Sequence, residues 1–496
     1  SMKIIVGLSG GVDSSVAAYL LKKQGYDVEA LYMQNWHDIT GTLHGECEWE
    51  EERVVAEMVA KKIGIPFHFV DLSGEYMKQV ADYMFAEYAA GRTPNPDVLC
   101  NSKIKFDAFL KHAISLGGDF VATGHYCKKS ILDSNAAINE KADFNFRPEQ
   151  YSSNKDLIYR IFAGDDKNKD QSYFLCQLSQ EQLAKAIFPL GELTKPEVRK
   201  IAKEADLPSA EKKDSQGICF VGKVDLPIFL QQKIKPKEGK VVEIFKEDFP
   251  AIDERRIAEL NAEHAANAAA NNAAVNHEAN DAANENDAAN AANAVNDAAN
   301  DAANDAAIDE ANDAAKATKS YAVNSAENNT ESVGNITVGN ITTDQLIKLS
   351  TLVKYKESDG NVIGTHIGVQ YYTIGQRHGL NIGGHPGSIF IIATDIESNT
   401  IYVGEGSDHP GLYRKGLMIK NSDVHWIRRD LTMQEGEKKE YLVRIRYRQP
   451  LQKATLYQRA EGLFIIFEKP QRSITPGQFA AWYEPAELEM LGSGVI

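Results

Sequence analysis

Residues Leu8 to Ser15 read L-S-G-G-V-D-S-S, and they fall where an apolar strand around Ile4-Ile5-Val6 must give way to a helix beginning near Asp13. Two consecutive glycines permit a tight turn and a close approach of backbone to a ligand, because neither carries a Cβ. The N–H groups of the first helical turn then point into the loop, which suits phosphate. No lysine follows the glycines, so this is not the Gly-x-x-x-x-Gly-Lys-Ser/Thr loop that grips β- and γ-phosphates. Taken alone, the segment would also pass as an ordinary glycine-rich turn. The sequence beyond it decides.

The first two hundred residues alternate short apolar strands with amphipathic helices. Strands are expected at 3–8, 27–33, 66–71 and 119–123, and helices at 13–24, 50–63, 74–88 and 101–116. Gly25, Gly64 and Gly117 close three of those helices, as C′ glycines do. Such alternation predicts an α/β fold with a doubly wound parallel sheet. Ligands of such sheets lie beyond the C-terminal strand ends, where the glycine loop, Met33 and Gly124 all fall. A helix pair is expected over 177–205, with Thr194 and Pro196 as the cap and first turn of its second member. Residues 132–156 read as a polar surface excursion. From 359 onward short strands and turns take over, at Tyr371-Tyr372-Thr373, Ser388 to Ile392, Ile401-Tyr402-Val403, Tyr441 to Arg446 and Leu463 to Phe467. That spacing predicts a small mixed unit followed by an antiparallel β-barrel.

The five cysteines, Cys47, Cys100, Cys127, Cys176 and Cys219, are too few and scattered for a disulfide framework, and no C-x-x-C pair suggests zinc. No signal peptide or membrane-spanning apolar run is evident, and Ser1 ahead of Met2 reads as an expression scar. A reduced, cytoplasmic enzyme with no membrane partner is the expectation. The formal charge of −16 argues at first against a nucleic-acid partner. Its distribution weakens that objection: fourteen acidic and four basic residues between Pro250 and Ser320 account for −10, leaving −6 for the rest. Basic clusters recur there at Arg428-Arg429, Lys438-Lys439 and Arg444-Arg446-Arg448, and local patches decide phosphate contacts.

Residues 250–326 stand apart. D-A-A-N and near copies recur from Asn280 to Asp313, with few large apolar residues. Alanine favours helix, while interleaved Asn and Asp compete for the backbone. Without an apolar stripe no packed core can form. The reading is a low-complexity insertion over 245–343, disordered or weakly helical; recruitment of a partner is the alternative.

Two cysteine segments connect these parts. Arg92 to Asn101 reads R-T-P-N-P-D-V-L-C-N, and Asp214 to Gly222 reads D-S-Q-G-I-C-F-V-G. With T-G-H-Y at 123–126, K-D-Q-S-Y-F-L at 169–175, Y-T-I-G-Q-R at 372–377, R-Y-R-Q at 446–449 and T-P-G-Q at 475–478, the chain closely resembles the tRNA-specific 2-thiouridylases. The S-G-G-x-D-S loop is similar to the pyrophosphatase loop of enzymes that split ATP into AMP and pyrophosphate. The resemblance covers most of residues 2–244 and 359–496. It implies a catalytic domain at 1–207, a central tRNA-binding domain at 208–244 and 344–405, the insertion at 245–343, and a barrel at 406–496.

Replacing the C2 oxygen of uracil by sulfur is hard because that oxygen leaves poorly. Attaching AMP to it creates a leaving group, and sulfur then attacks C2. By resemblance Gly7, Leu8, Ser9, Gly10, Gly11, Val12, Asp13 and Ser14 hold the ATP phosphates, with Ser15 adding a hydroxyl. Met33 and Gly124 contact adenine or ribose through backbone; for Met33 an ordinary core methionine is the plain alternative. Asp13 is left with two roles, a Mg²⁺ ligand or a helix cap. Cys100 precedes the helix expected at 101–116, whose N-terminus would lower its pKa, while Asp97, a candidate proton shuttle, would raise it. Cys219 lies in Ile218-Cys219-Phe220-Val221, which looks like a strand and would suit a small buried hydrophobe. The family match instead aligns Cys219 with a persulfide carrier and Cys100 with its partner nucleophile, leaving Cys47, Cys127 and Cys176 structural. It nominates Asn95, Pro96 and Asp97 at the target base, and His125, Lys169, Asp170, Gln171, Arg446, Tyr447 and Gln478 for other tRNA contacts. The alternative for Arg446-Tyr447-Arg448 is an ordinary strand with outward charges. The implied partners are tRNA and a sulfur-donor protein, a sulfur-relay protein or cysteine desulfurase. Three alternatives stay open: another pyrophosphatase-loop enzyme such as argininosuccinate, GMP or tRNA-lysidine synthetase; a tRNA-binding protein without catalysis; and an iron–sulfur cluster on Asp97, Cys100 and Cys219, less favoured than the persulfide.

Overall fold

Alternate residues of strand β1 (Lys3–Gly7) enter opposite cores, Ile5 on one face and Ile4 and Val6 on the other, all fully buried. That is the signature of a sheet covered on both sides. A computed structural model describes residues 2–36, 48–135, 141–152, 156–215, 218, 221, 224–293 and 340–496. Its first sheet is parallel throughout, in the order β3-β2-β1-β4-β7, with β2 at Asp27–Gln34, β3 at Phe67–Asp71, β4 at Phe120–Ala122 and β7 at Ala186–Ile187. The order reverses between β1 and β4, which opens a crevice beyond their C-terminal ends. Helix α1 (Val12–Lys23) starts there, and α2 (Glu48–Ile63) packs beside it. The glycines foreseen as helix stops, Gly25, Gly64 and Gly117, have φ of +90°, +78° and +82°.

One expected boundary is wrong where it matters. The helix expected at 101–116 begins at Pro96: Asn95 caps it, its side-chain oxygen accepting from Val98 N at 3.3 Å, and Pro96 occupies the first turn. The run Pro96–Leu99 continues through a π-helical stretch, Cys100–Ala108, into Phe109–Ser115. Proline at N1 loses no hydrogen bond, so N-P-D is a helix start rather than a loop.

The second sheet runs β10-β11-β8-β9, with β8 at Gly239–Glu243, β9 at Asn361–His366, β10 at Ile389–Asp395 and β11 at Thr400–Glu405. Glu243 pairs with Asn361 across an antiparallel ladder, so the chain leaves and re-enters at one point of the sheet. Tyr371 lies in a 3₁₀ turn, Val369–Tyr371, and not in the expected strand; the preceding Gly368, at φ +143°, breaks the extended path.

The third sheet is antiparallel and curls into the barrel, in the order β12 (Tyr413–Ile419), β16 (Leu463–Arg472), β15 (Gln452–Gln458), β14 (Lys438–Arg444), β17 (Phe479–Tyr483) and β18 (Glu489–Val495), with β13 (Val424–Trp426) on β18 and two strands of the first domain beyond it. Strands β5 (Cys127–Asp133) and β6 (Leu157–Ala163) come from the first domain, and the surface excursion joins them. Met490 pairs with Ile161 and Glu489 with Phe162, which sews the two domains together. Glu489, 2% exposed, accepts from Arg160 Nε at 2.7 Å and from Arg428 NH1 at 2.8 Å. Two guanidinium groups thus offset one carboxylate taken out of water; removing one partner of such a buried pair typically costs about 3–5 kcal/mol.

The segment Arg255–Gln345 forms a separate compact unit. Its first part belongs to a continuous helix, Phe249–Asn293, exposed from Asn261 to Asn276. Alanine content prevails here over the Asn and Asp that were expected to keep this stretch weakly helical. Residues 294–339 lie outside the described residues.

Candidate active site at the domain junction

The glycine loop is shaped by what surrounds it. Gly10 has φ +84°, and a Cβ there would sit 2.4 Å from the carbonyl oxygen of Glu52 in α2. Gly124, just past β4, would place a Cβ 2.7 Å from Ser14 N and 2.8 Å from the Asp13 carbonyl carbon. Both glycines let backbone close in on the first turn of α1, whose leading N–H groups have no partner within the helix. Gly7 ends β1, Leu8 is buried, and Gly11 is the N-cap ahead of Val12. Ser9 N donates to Ser14 Oγ at 3.1 Å, and the two hydroxyls lie 3.1 Å apart. Ser15, expected to face a ligand, is instead fully buried: its Oγ donates to Gly11 O at 2.6 Å and accepts from Ser209 at 2.7 Å. Met33, 8% exposed, sits at the end of β2 in the main core.

Asp13 does not cap α1. Its Oδ1 accepts from Tyr126 OH and from Lys195 Nζ, each at 2.7 Å. Lys195 also lies 2.6 Å from Asp214, which pairs in turn with Lys169 and, at 3.4 Å, with Arg199. Burial opposes ionisation of Asp214, but Lys169 and Lys195 outweigh it and hold its pKa down to about 2. Lys195 opens the helix Lys195–Glu204, capped by Thr194 as expected. Sequence reasoning passed over Lys195 and Asp214, although one stands between a cap and Pro196 and the other opens the second cysteine motif.

The polar and aromatic side chains of K-D-Q-S-Y-F-L each have a partner, and Leu175 is buried in the main core. Lys169 holds Asp214. Asp170, 6% exposed, accepts from Gly164 N and Ser172 N and pairs with Arg444 at 3.1 Å. Gln171 Oε1 accepts from Tyr126 N at 3.1 Å. Ser172 meets Tyr483 OH at 2.7 Å, Tyr173 OH donates to Phe479 O at 2.9 Å, and Phe174 packs on Tyr447 with ring centroids 4.2 Å apart. The motif therefore joins the ion pairs beside the glycine loop to the barrel. His125, 8% exposed, bonds Thr123 Oγ1 at 2.6 Å between the rings of Phe106 and Phe188. Burial, with Lys105 nearby, holds its pKa well below the ordinary histidine value.

Three motifs meet at Thr93. Its N–H donates to Pro476 O at 2.9 Å, its Oγ1 lies 3.1 Å from that of Thr373, and its carbonyl accepts from Gln478 Nε2 at 2.8 Å. Gln478 also reaches Pro94 O, and its Oε1 accepts from Asn95 Nδ2 at 3.4 Å. Gly477, at φ +98°, would put a Cβ 2.7 Å from Thr93 O. The barrel is thus seated against the residues that cap the Pro96 helix.

On that helix Asp97 is in the first turn, and Asn101 donates from Nδ2 to the Asp97 carbonyl at 3.0 Å. Cys100 is fully buried and stands a turn inside the helix, not at its N-cap, so the helix dipole acts on it less than expected. Cys219 and Cys47 lie outside the described residues. Val221 N donates to Ile218 O at 3.0 Å, and the strand expected around Cys219 falls largely outside the described residues. Cys127 and Cys176 are fully buried, and burial pushes the Cys176 thiol up to about 12, in keeping with structural roles. Arg446 and Tyr447 follow the end of β14 (Lys438–Arg444) in a turn where Arg448 takes φ +64°, so the outward-strand alternative fails. Arg446 NH1 donates to Arg472 O at 2.9 Å.

Family models match in three stretches: a tRNA methyl transferase HUP domain over residues 2–223, a tRNA methyl transferase PRC-barrel domain over 351–405, and an aminomethyltransferase beta-barrel domain over 416–496. Along its whole length the chain is similar to proteins named tRNA-specific 2-thiouridylase. It is 47% identical to that of Flavobacterium johnsoniae, over 100% of this chain and 99% of the relative. Identity to that of Christiangramia forsetii is also 47%, over 100% and 99%, and to that of Karelsulcia muelleri 37%, over 100% and 98%.

Proposed function

This chain belongs to the tRNA-specific 2-thiouridylase family, and from that premise we propose that it thiolates the wobble uridine of tRNA at C2 in the cytoplasm. ATP adenylates the C2 oxygen, AMP and pyrophosphate are released, and the sulfur arrives as a persulfide on Cys219. The observation that carries this reading is the meeting of R-T-P-N, Y-T-I-G-Q and T-P-G-Q around Thr93. It sets the Asp97–Cys100 helix at the seam between a nucleotide-loop domain and the barrel, where a base drawn from an RNA can meet both. Asn95, Pro96 and Asp97 would line the base pocket, with Asp97 moving a proton. Lys169, Arg446 and Tyr447 would contact tRNA. Asp170, Gln171, His125 and Gln478 are buried or committed to partners and would act by holding those groups in place.

The loop suits ATP, since Gly10 and Gly124 let the surrounding backbone close in on the first turn of α1, whose N–H groups are free to meet phosphate. Magnesium would accompany the phosphates; Asp13 is already engaged by Lys195 and Tyr126. A sulfur-relay protein or cysteine desulfurase would load Cys219. Among the described residues no helix is long and apolar enough to cross a membrane.

Labelling with a radioactive sulfane-sulfur donor tests the route. Cys219→Ser should accept no label, because a hydroxyl cannot hold sulfane sulfur. Cys100→Ser should accept it and fail to pass it on. Equal labelling of both variants would remove Cys219 as sole carrier, and bound iron lost from both would favour a cluster.

A further inference from the structure

We infer that Lys195 is the cation that grips the pyrophosphate half of ATP, supplying from a distant helix the charge that the glycine loop lacks. The inference rests on the ATP-dependent reading above. Leu8 to Ser15 contains no lysine or arginine. The lysine that approaches its first helical turn lies 182 residues later, with Nζ 2.7 Å from Asp13 Oδ1.

Lys195 is placed with unusual care for a lysine. Its side chain is 9% exposed, and its own backbone N–H donates to Asp166 Oδ2 at 2.9 Å. Val198 and Ala202 of its helix share one apolar cluster with Val16 and Ala17 of α1, so the two helices are locked together. Asp13 and Asp214, 2.7 and 2.6 Å away, take two of the three Nζ–H donors. The ring of Tyr126 lies 5.9 Å from Nζ, and no third hydrogen-bond acceptor meets it among the described residues, which leaves that donor for a ligand. Lys169 and Arg199 share Asp214, so that carboxylate does not depend on Lys195 alone for its charge balance.

The chemistry asks for such a group. As the uracil C2 oxygen bonds to the α-phosphorus, the bond from that phosphorus to the bridging oxygen of the β-phosphate breaks. The electron pair departs on pyrophosphate, where charge builds up in the transition state. A fixed ammonium group beside the leaving phosphates stabilises that charge without rearranging. Neutral N–H groups of the α1 turn can orient the phosphates, but they carry no full charge.

The test is calorimetric titration of the full-length protein with ATP and, separately, AMP, together with tRNA-dependent pyrophosphate release. Lys195→Met keeps the apolar stem and removes the charge. It should weaken ATP binding about tenfold to a hundredfold, as loss of a charge-assisted contact does, and leave AMP binding within about twofold. Lys195→Arg should recover most of the loss. Lys195→Met/Asp13→Asn, which keeps the local charge balanced, guards against misfolding, and AMP binding reports an intact fold. Unchanged ATP affinity in Lys195→Met, or equal losses for ATP and AMP, would overturn the assignment. A wild-type protein that binds no ATP would overturn the functional reading beneath it.

Discussion

Gln478 donates its side-chain amide to the carbonyl of Thr93 at 2.8 Å, tying the last strands of the barrel to the residues that cap the Pro96 helix. The same amide group reaches Pro94 O and accepts from Asn95. One side chain thus sets where Asp97 and Cys100 stand relative to the barrel. Gln478→Ala should lower kcat/KM for tRNA about tenfold, the equivalent of one or two net hydrogen bonds. ATP affinity should not change. Steady-state kinetics with tRNA, alongside nucleotide titration, separate the two effects.

Gly124→Ala should abolish ATP binding and lower the melting temperature, while the secondary structure is retained. The added Cβ would lie 2.7 Å from Ser14 N and 2.8 Å from the Asp13 carbonyl carbon, against backbone that cannot swing aside. Nucleotide titration and circular dichroism together check this. Normal ATP affinity would show that the β4 end and the α1 turn do not form the nucleotide crevice.

Asp214 makes stability pH-dependent in a defined window. Its folded pKa, held down to about 2 by Lys169 and Lys195, lies below the ordinary 3.8. A depressed carboxyl contributes stability that is present above the unfolded value and is lost as pH falls toward the folded one. Melting temperature should therefore drop between about pH 4 and pH 2, and Asp214→Asn should flatten that part of the profile. An unaltered profile in the variant would place the acid sensitivity elsewhere.

Excision of the insertion should leave thiolation within a few-fold of the parent, provided the cut is made in the right place. Ile252, inside the insertion expected at 245–343, is buried, so the cut belongs at about 261–340. A Gly/Ser linker of roughly ten to fifteen residues gives flexible reach. Loss of activity with an unchanged melting temperature would show that the segment serves the reaction.

Much of this was legible in sequence because it is local. The glycine loop, the C′ glycines after α1 and α2 and the Thr194 cap each follow from a few adjacent residues. The start of the Pro96 helix was also local and was misread, because Asn95 and Pro96 pass equally well for a turn and for a capped first turn. The Lys195–Asp13 pair, the seat of Gln478 on Thr93 and the pairing of β6 with β18 were not legible. Each joins residues far apart in the chain, and periodicity carries no information about such partners. The long alanine-rich helix was missed for a different reason: propensities that nearly cancel leave its outcome undetermined from pattern alone.

The most direct test is chemical analysis of the product. The protein is incubated with ATP, a sulfane-sulfur source and unmodified tRNA bearing a wobble uridine, and the tRNA is digested to nucleosides for mass spectrometry. The account predicts 2-thiouridine at the wobble position, formed only with ATP and accompanied by AMP and pyrophosphate. Thiolation at another atom or position, product formed without ATP, or ADP and orthophosphate in place of AMP and pyrophosphate would contradict it.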